Sequence, residues 1–516
     1  MENNMKKLPY SYHTFLFPFI WKNKTNKINK ETFEKVLTEK WVKKEFKDFL
    51  KNKNGYQARQ YFVPNAQNLL YDCDGNGVVS NFVYQTEKNA QYIIEKNEEE
   101  FILTLHAIKM RVFESGVAIL KIEAEYFGEK RIKGIVSEDK PTAEDFNKIN
   151  EYGRRIYYPF IAEDMKNPLT ADSLKLRFEN KSIIEDFSFY YSDNADFSYT
   201  YISKTVMELL GEKFTSNKDK AKSSDKLYIY PIVDDRMFVC AMIRDSKLSD
   251  SFKLYSDEEK DYCIYSSEKQ SQDIYKLAFI DVGEECSCQS KIMRKEILKR
   301  CVYDRWIDYG TIDIITHHSF MRVTSDADFI ISSVVNPFLL QYIQMAEIAL
   351  VQRATVLSLI DKIEDISAHI NKNDVSNSEF YEMSSNLQGE YIKAQNQIFL
   401  GDVTVQEQGV EEFRMMLNEL YIERTVAELD EQVKDVYEYV DGKMEKETNK
   451  AVNILTEISV LFAVAAIFIP GLSLERFFSE DYKTCIDCVE KILSVTGVIL
   501  LFSGLGVWLS NKFIKK

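Results

Sequence analysis

Residues 99–127, EEFILTLHAIKMRVFESGVAILKIEAEYF, determine the fold of the first part of this 516-residue chain. Two long runs rich in apolar, β-branched and aromatic residues flank the short polar turn ESG. This pattern predicts an antiparallel β-hairpin, because strands joined by a few turn residues fold back on one another. Strand-like runs also begin at Tyr12, Lys226 and Arg236, and a helical piece, TAEDFNKINEYGRRI, begins at Thr142. We therefore expect an α+β domain over residues 1–330.

A long helical pattern follows, and we assign residues 331–452 to a helical stalk. Apolar residues recur at spacings of four and three from Met415 to Val440, with one gap at Glu419, which is typical of a coiled-coil seam. A second apolar helix is predicted over about residues 337–370. No proline separates the seam from the apolar segment after it, so we expect one continuous helix to enter that segment.

Residues 453–516 contain two apolar segments, ILTEISVLFAVAAIFIPGLSL from Ile454 and ILSVTGVILLFSGLGVWL from Ile492. Each has the length of a membrane-spanning helix, so we predict a two-helix transmembrane domain. Lysines precede the first segment and follow the second, whereas the loop between them is acidic. The positive-inside rule then places both termini in the cytoplasm, with the chain in the inner (cytoplasmic) membrane.

Two spans in one chain do not enclose a pore, so conduction would need several copies around an axis. Glu457 lies where the first helix would enter the membrane, either at the mouth of a pore or as a side chain that extends into the lipid interface. Helical spacing predicts the rest of the pore-lining set on this span: Asn453, Thr456, Val460, Ala463 and Ile467.

Composition excludes some functions. The net charge of -15 weighs against direct binding of nucleic acid, which needs a surplus of Lys and Arg. The 8 cysteines form no disulfide framework, and a structural or incidental role is favoured for Cys485 and Cys488, in the loop between the spans. The 5 histidines have no metal-ligand spacing. The chain has no Walker loop and no Ser-His-Asp order, so we expect neither a cofactor nor an enzyme.

The run DCDGNG, from Asp72, imitates the opening of a calcium-binding EF-hand loop. Position twelve of that loop is Val83, where calcium needs a bidentate glutamate. A surface turn is therefore favoured over a calcium site.

Two pairs of charged residues are candidate ligand-binding residues. Arg154 and Arg155, in EYGRRIYYPF, place two guanidinium groups side by side, which suits a phosphate or a carboxylate. The alternative for them is ion pairing at the surface. Asp234 and Asp235 lie in YIYPIVDDRMFVC, where the pattern predicts the turn of a hairpin. Near the arginines, these carboxylates would bind a cation, ribose hydroxyls or an adenine amine.

The C-terminal arrangement resembles the CorA family of magnesium channels, and TEISVLFAVAAIFIPG from Thr456 is similar to that family's first span. The resemblance implies a homo-oligomer, expected to be a pentamer, in a lipid bilayer. The family's Gly-Met-Asn motif should follow this span. Here the residues are Gly471, Leu472, Ser473 and Leu474, so the resemblance does not extend to the magnesium-binding mouth.

SYHTFLFPFIW, GRRIYYPF and RWIDYGTIDIITHHSFMRVT resemble a divergent CorA-like branch associated with type III CRISPR systems. That resemblance implies a membrane effector of antiviral defence, gated by a nucleotide second messenger, an S-adenosylmethionine–AMP conjugate. Arg154 and Arg155 would then hold its phosphate or carboxylate, and Asp234 or Asp235 would meet its sulfonium or a polar edge. The alternatives are a divalent-cation (magnesium or cobalt) transporter, a membrane-tethered enzyme and an inactive anchor.

Overall fold

The computed structural model describes residues 8–23, 30–51, 53–156, 169–187, 202–232, 234, 236–253, 267–327, 330–370 and 377–479, with the backbone alone over 461–479. The chain divides into two compact units. The first consists of Met1–Glu364 and Gly389–Glu431, and the second of Asp365–Gln388 and Gln432–Lys516. The predicted combination of a domain containing both helices and strands with long C-terminal helices is confirmed. The functional division at residues 330 and 452 stays a prediction.

The first unit is built on one large sheet, in which sixteen strands lie within the described residues. In chain order they are β1 Ser11–Lys22, β2 Trp41–Lys44, β3 Val79–Tyr84, β4 Gln91–Lys96, β5 Glu99–Phe113, β6 Val117–Tyr126, β7 Lys130–Ile132, β8 Ile135–Val136, β9 Ser173–Arg177, β10 Ser182–Asp186, β11 Phe214–Thr215, β12 Leu227–Pro231, β13 Phe238–Arg244, β14 Val302–Tyr303, β15 Ile312–Ile315 and β16 Ser319–Thr324. Most neighbours are antiparallel, whereas β13 with β16 and β11 with β12 are parallel.

The described helices are α1 Lys30–Val36, α2 Phe46–Phe49, α3 Lys53–Gln60, α4 Pro64–Tyr71, α5 Ala143–Gly153, α6 Lys204–Leu210, α7 Lys218–Ser223, α8 Ser246–Phe252, α9 Glu268–Phe279, α10 Lys291–Cys301, α11 Ile343–Ala368, α12 Asn377–Gln397, α13 Glu407–Glu419 and α14 Ile422–Ser479. A short 3-10 turn spans Ile307–Tyr309, and two π-helical turns, Ile331–Val335 and Phe338–Tyr342, lead into α11. The helix predicted from Thr142 is therefore confirmed as α5.

The predicted hairpin is confirmed as β5 and β6, at the centre of the sheet. Gly116 in its turn has φ +84°, a left-handed conformation that glycine adopts without steric cost. The other edge of β6 pairs with β1 from Ser11 to Ile20, so the first strand of the chain is held between distant segments. Side chains of β1 are buried along almost its whole length. This strand is the part of the core against which the candidate site is built.

The hairpin predicted around Asp234 is wrong, because β12 and β13 do not fold back on one another. Both lie antiparallel to β1, β12 against Phe19 to Lys22 and β13 against Ser11 to Leu16. Strand β1 is long enough to pair with β12 and β13 one after the other. The chain therefore keeps the same direction through the polar segment between β12 and β13. Asp234 therefore lies in a break between two strands that follow one another along β1, and not at the tip of a hairpin turn.

Helix α11 packs on the sheet through buried charged groups. Glu347 accepts hydrogen bonds from Arg111 and from Lys121, whose Nζ lies 2.5 Å from its Oε1. The Arg322 guanidinium lies 4.4 Å from the centre of the Tyr342 ring, close enough for a cation–π contact. Removing one partner of such a buried pair is costly, because it leaves an uncompensated charge.

Among the described residues, one helical stretch, Ile331–Ala368, is long and apolar enough to cross a membrane. However, 67% of its most apolar window is buried inside the protein, and a core helix has the same length and composition. The contacts of α11 with the sheet agree with a core role. This stretch contains the apolar helix predicted over about residues 337–370.

The seam predicted from Met415 onward is interrupted where its spacing has a gap. Helix α13 ends at Glu419, and α14 begins at Ile422. Between them Tyr421 has φ +56°, which no residue inside a right-handed helix adopts. From Ile422 the helix is continuous to Ser479, which confirms that one helix enters the first predicted span. Of the predicted pore-lining side chains, those of Asn453, Thr456, Glu457 and Val460 are exposed in the single chain. The side chains of Ala463 and Ile467, and the whole second predicted span, lie outside the described residues.

Several apolar side chains of the second unit are buried within the chain. Phe380 and Leu387 of α12 and Val433, Val436 and Val440 of α14 are buried. Within this unit the ammonium of Lys443 lies 5.5 Å from the centre of the Phe380 ring. The valines belong to the predicted seam, so that part of the pattern does mark a packed face.

Candidate ligand-binding site

The site begins at α5, whose two ends are fixed by local sequence. Thr142 and Asp145 cap its first turn reciprocally, each side chain bonding the backbone N–H of the other. At its last residue, Gly153, a Cβ atom would lie 2.7 Å from Cζ of Phe15, so only glycine lets the helix end so close to β1. Arg154 follows as the C-terminal cap and is 1% exposed. The close packing of Gly153 thus carries an arginine into the interior.

Arg154 and Arg155 hold the same internal carboxylate. Nε of Arg154 lies 3.0 Å from Oε2 of Glu151, Nη2 of Arg154 donates to the same oxygen, and Nη2 of Arg155 donates to Oε1. Nε of Arg155 also donates to the carbonyl oxygen of Leu169 at 3.1 Å. All three charged side chains are buried. The alternative prediction is that these arginines form ion pairs at the surface. The ion pairs exist, but they are buried, so the predicted surface location is wrong.

The polar break between β12 and β13 lies beside these arginines. Arg155 forms an antiparallel bridge with Arg236, and the backbone N–H of Met237 donates to the carbonyl oxygen of Arg154 at 2.6 Å. Asp234 accepts hydrogen bonds from the backbone and the guanidinium of Arg236. The structure thus brings Arg154, Arg155 and Asp234 together, whereas Asp235 lies outside the described residues.

We call Glu151, Arg154, Arg155, Asp234 and Arg236 the arginine cluster. Burial lowers the pKa of the Arg154 guanidinium; Glu151 opposes this effect, and Arg236 and Arg155 add to it. Burial alone would raise the pKa of the Asp234 carboxyl, but the hydrogen bonds and charge of Arg236 lower it below its usual range. The cluster thus places the guanidinium groups of Arg154, Arg155 and Arg236 around the carboxylates of Glu151 and Asp234.

His318 borders the arginine cluster. Burial lowers its pKa to about 4; Arg236 adds to this effect, and Asp234 opposes it. The imidazole is therefore neutral near pH 7 and is able to accept or donate a hydrogen bond there without adding charge.

One hydrogen-bond donor of the cluster is unsatisfied. Nη1 of Arg154 is buried and has no hydrogen-bond partner among the described residues. Leaving a buried charged donor unpaired costs free energy. An anionic or carbonyl oxygen of a ligand that accepts from this donor would therefore contribute strongly to the binding free energy. This donor is the feature that most clearly distinguishes the cluster from an internal structural ion pair.

Three members of this region were not predicted from the sequence: Glu151, Arg236 and His318. Glu151 precedes Arg154 and Arg155 by three and four residues, which are the spacings of ion pairs on a helix. This spacing would have predicted that Glu151 pairs with both arginines. For the other two no comparable signal exists, because their proximity depends on β12, β13 and β16 lying in one sheet.

The remaining candidate residues have structural roles. His13 is buried, its Nδ1 donates to Oδ1 of Asn150 at 2.7 Å, and its Nε2 lies 2.7 Å from the Ser11 hydroxyl. In DCDGNG, Oδ1 of Asp72 accepts from the backbone N–H of Gly77 at 2.9 Å, which confirms the turn. Among the described residues, no three His, Cys, Asp or Glu side chains come together as a metal site.

A cavity of about 1060 Å³ lies elsewhere in the first unit, beside α1 and the turn after α4. Two of its lysines are paired within the protein: Lys43 with Glu34 at 2.8 Å, and Lys30 with the carbonyl oxygen of Gly77. Its wall contains both acidic and basic side chains, so its charges do not select for a ligand of one sign.

Comparison of the chain with protein-family models, with curated proteins and with solved structures gives no match. The argument for function therefore depends on the geometry of the arginine cluster and on the sequence resemblance described above.

Proposed function

We propose that this chain forms a homo-oligomeric membrane channel, an effector of type III CRISPR antiviral defence that a nucleotide second messenger gates. The messenger binds at the arginine cluster. The observation that carries the proposal is the unpartnered Nη1 of Arg154, buried beside Arg155 and Arg236. A phosphate or carboxylate oxygen accepts a charge-assisted hydrogen bond from a guanidinium N–H, so this donor suits an anionic ligand.

The S-adenosylmethionine–AMP conjugate has the groups that this cluster would recognise. Its phosphate or carboxylate pairs with Arg154 and Arg155, and its sulfonium lies near the carboxylate of Asp234. The low pKa of Asp234 keeps this carboxylate charged at neutral pH, when it would attract a cation. Both signs of charge in the ligand therefore have a counterpart within one small region.

Helix α14 supports the channel part of the proposal. It is continuous from Ile422 to Ser479 and so includes the start of the first predicted span. In the proposal, copies of this helix surround an axis, and Asn453, Thr456 and Val460 line the pore. Binding of the messenger shifts the equilibrium toward an open arrangement, ions leak across the inner membrane, and growth of the infected cell stops.

Calorimetric titration of the detergent-purified full chain with the conjugate tests the proposal, with cyclic oligoadenylates and magnesium as competitors. We expect selective binding of the conjugate. No binding, together with magnesium alone raising the melting temperature, would assign the protein to the transporter class.

The matched variants follow from the buried ion pairs. If Arg154 and Arg155 are both replaced by alanine, the buried carboxylate of Glu151 loses its counterions. Unfolding of such a variant would then also abolish binding, so the result would not be informative. The double variant Arg154→Gln with Glu151→Gln removes one charge of each sign, and we expect it to lose binding. Because Arg155 also loses Glu151 as a counterion, circular dichroism must first show that this variant is folded. The control is Arg294→Gln, since Arg294 is also 1% exposed and pairs with Glu268 away from the cluster. The control should bind as the wild type does.

A further inference from the structure

The turn between β15 and β16, residues 316–318, connects the arginine cluster to the start of α14. Oγ1 of Thr316 accepts from the backbone N–H groups of His318 at 3.2 Å and Ser319 at 3.1 Å. The backbone N–H of Thr316 donates to the carbonyl oxygen of Ser319 at 2.8 Å. These bonds make the turn a rigid unit, which we call the histidine turn. It contains two histidines that point to different neighbours.

On one side the histidine turn contacts the cluster. The carbonyl oxygen of His318 accepts from the backbone N–H of Val239 at 3.1 Å, and the charges of Arg236 and Asp234 act on its ring. Two residues before Val239, the backbone N–H of Met237 bonds to Arg154. A short extended segment, residues 237–239, therefore touches the cluster at one end and the histidine turn at the other.

On its other side the histidine turn holds the end of α13. Nδ1 of His317 lies 3.0 Å from the carbonyl oxygen of Glu419; because a carbonyl only accepts, Nδ1 carries the proton. Arg353 donates to the next carbonyl oxygen, that of Leu420, at 2.7 Å. The last carbonyl groups of a helix have no partners within it, so these side chains decide how α13 ends.

Directly after these two carbonyls the chain turns through Tyr421 into α14. The left-handed conformation of a tyrosine is costly, and it persists where surrounding contacts hold it. The rings of His317 and Tyr421 lie 5.9 Å apart, so the histidine turn also contacts the strained residue itself. The start of α14 is therefore set by contacts from the histidine turn together with Arg353 of α11.

We propose that the histidine turn couples occupancy of the arginine cluster to the junction between α13 and α14, and that His317 is the residue through which it acts. The inference rests on the proposed function, because it needs a ligand at the cluster. An anion on Arg154 and Arg236 changes how these groups hold Asp234 and the segment 237–239. That segment bonds to His318, and the change reaches the carbonyl of Glu419 through His317. Ligand binding thereby favours one of two arrangements of the junction.

Hydrogen exchange on the full chain, with and without the conjugate, provides the first test. The amides to follow are those of Tyr421, which bonds to Asn418 at 3.0 Å, and Thr425, which bonds to Tyr421 at 3.1 Å. We expect their exchange rates to change about tenfold when the conjugate binds, within the usual range of coupling energies. Unchanged exchange at saturating conjugate would overturn the coupling even though the ligand binds.

Variants of His317 separate the coupling from binding. In His317→Ala the donor to Glu419 is lost, so the exchange response should disappear while the affinity for the conjugate changes less than about threefold. In His317→Asn the amide nitrogen takes the place of Nδ1, and the response should return. A normal response in His317→Ala would overturn the role of His317. Absence of conjugate binding to the wild type would instead overturn the proposed function, so the two failures are distinguishable.

Discussion

Glu151 is the residue on which the arginine cluster depends. Both buried arginines donate to its carboxylate. Glu151 accepts hydrogen bonds from Arg154 and Arg155, and Asp234 accepts from Arg236, so these two carboxylates hold the guanidinium groups in place. Their substitution therefore tests the cluster more directly than deletion of the arginines.

Glu151→Gln leaves two buried guanidinium groups without their shared counterion. We expect the free energy of unfolding to fall by about 3–5 kcal/mol. Urea unfolding followed by circular dichroism measures it, and added sulfate should restore part of the loss by binding the released arginines. The control is Glu285→Gln at an exposed loop position, which should change stability by less than about 0.5 kcal/mol. An unaltered midpoint in Glu151→Gln would contradict the assigned ion pairs.

His13 makes a separate prediction about pH. Burial lowers its pKa to about 4, although the hydrogen bond with Asn150 opposes the shift. The unfolded chain takes up a proton near pH 6.5 and the folded chain does not, so stability is present above this pH and is lost as pH falls toward 4.

From pH 7 to pH 5 the wild type should therefore lose about 2 kcal/mol more stability than His13→Asn, in which no group titrates at this position. Denaturant unfolding at several pH values measures the difference. The control is His106→Asn, in which an exposed histidine is replaced in the same way. Parallel curves for wild type and His13→Asn would show that His13 is not buried in its neutral form.

At the scale of elements, the close approach of α5 to β1 positions the cluster. A Cβ atom on Gly153 would meet Phe15 at 2.7 Å and Ile94 at 3.0 Å, so Gly153→Ala should displace the end of α5 and lower the free energy of unfolding by about 1–3 kcal/mol. Gly389→Ala is the control, because nothing lies within 4 Å of its added Cβ. In α12 this control should be neutral or stabilise by up to about 1 kcal/mol. Equal effects of the two variants in thermal unfolding would contradict the packing at Gly153.

Elements with strong local patterns were predictable from the sequence, and those that depend on distant pairing were not. The ESG hairpin was found because alternation and turn residues lie within one short segment. The turn at Asp234 was misassigned, since pairing of both flanking strands with β1 involves residues more than two hundred positions away. The break at Tyr421 was visible in the sequence only as the missing apolar residue at Glu419. A tyrosine in the left-handed conformation is not recognisable from its residue type.

The candidate site was predictable in its residue types and not in its arrangement. Arg154 and Arg155 were identified as a pair from adjacency alone, and Asp234 from its polar break. Their burial, the shared Glu151 and the contribution of Arg236 follow from tertiary packing. A single sequence does not report such packing, because residues 151–155 meet Asp234 and Arg236 only when the sheet forms.

At the scale of the whole molecule, the chain itself supplies a probe of membrane topology. Cys485 and Cys488 lie in the loop predicted to face outside. A membrane-impermeant maleimide should label the protein on cells whose outer membrane has been removed, and Cys485→Ser with Cys488→Ser should abolish this labelling. Labelling of the wild type only after the inner membrane is permeabilised would contradict the predicted orientation.

The central claim is that a ligand at the arginine cluster opens a pore formed by α14. Its most direct measurement is release of a trapped ion or dye from liposomes that contain the purified full chain, before and after addition of the S-adenosylmethionine–AMP conjugate. The account predicts release that depends on the conjugate, persists in Arg294→Gln and is lost in Arg154→Gln with Glu151→Gln. Release that is the same with and without conjugate, or that survives in the cluster variant, would contradict it.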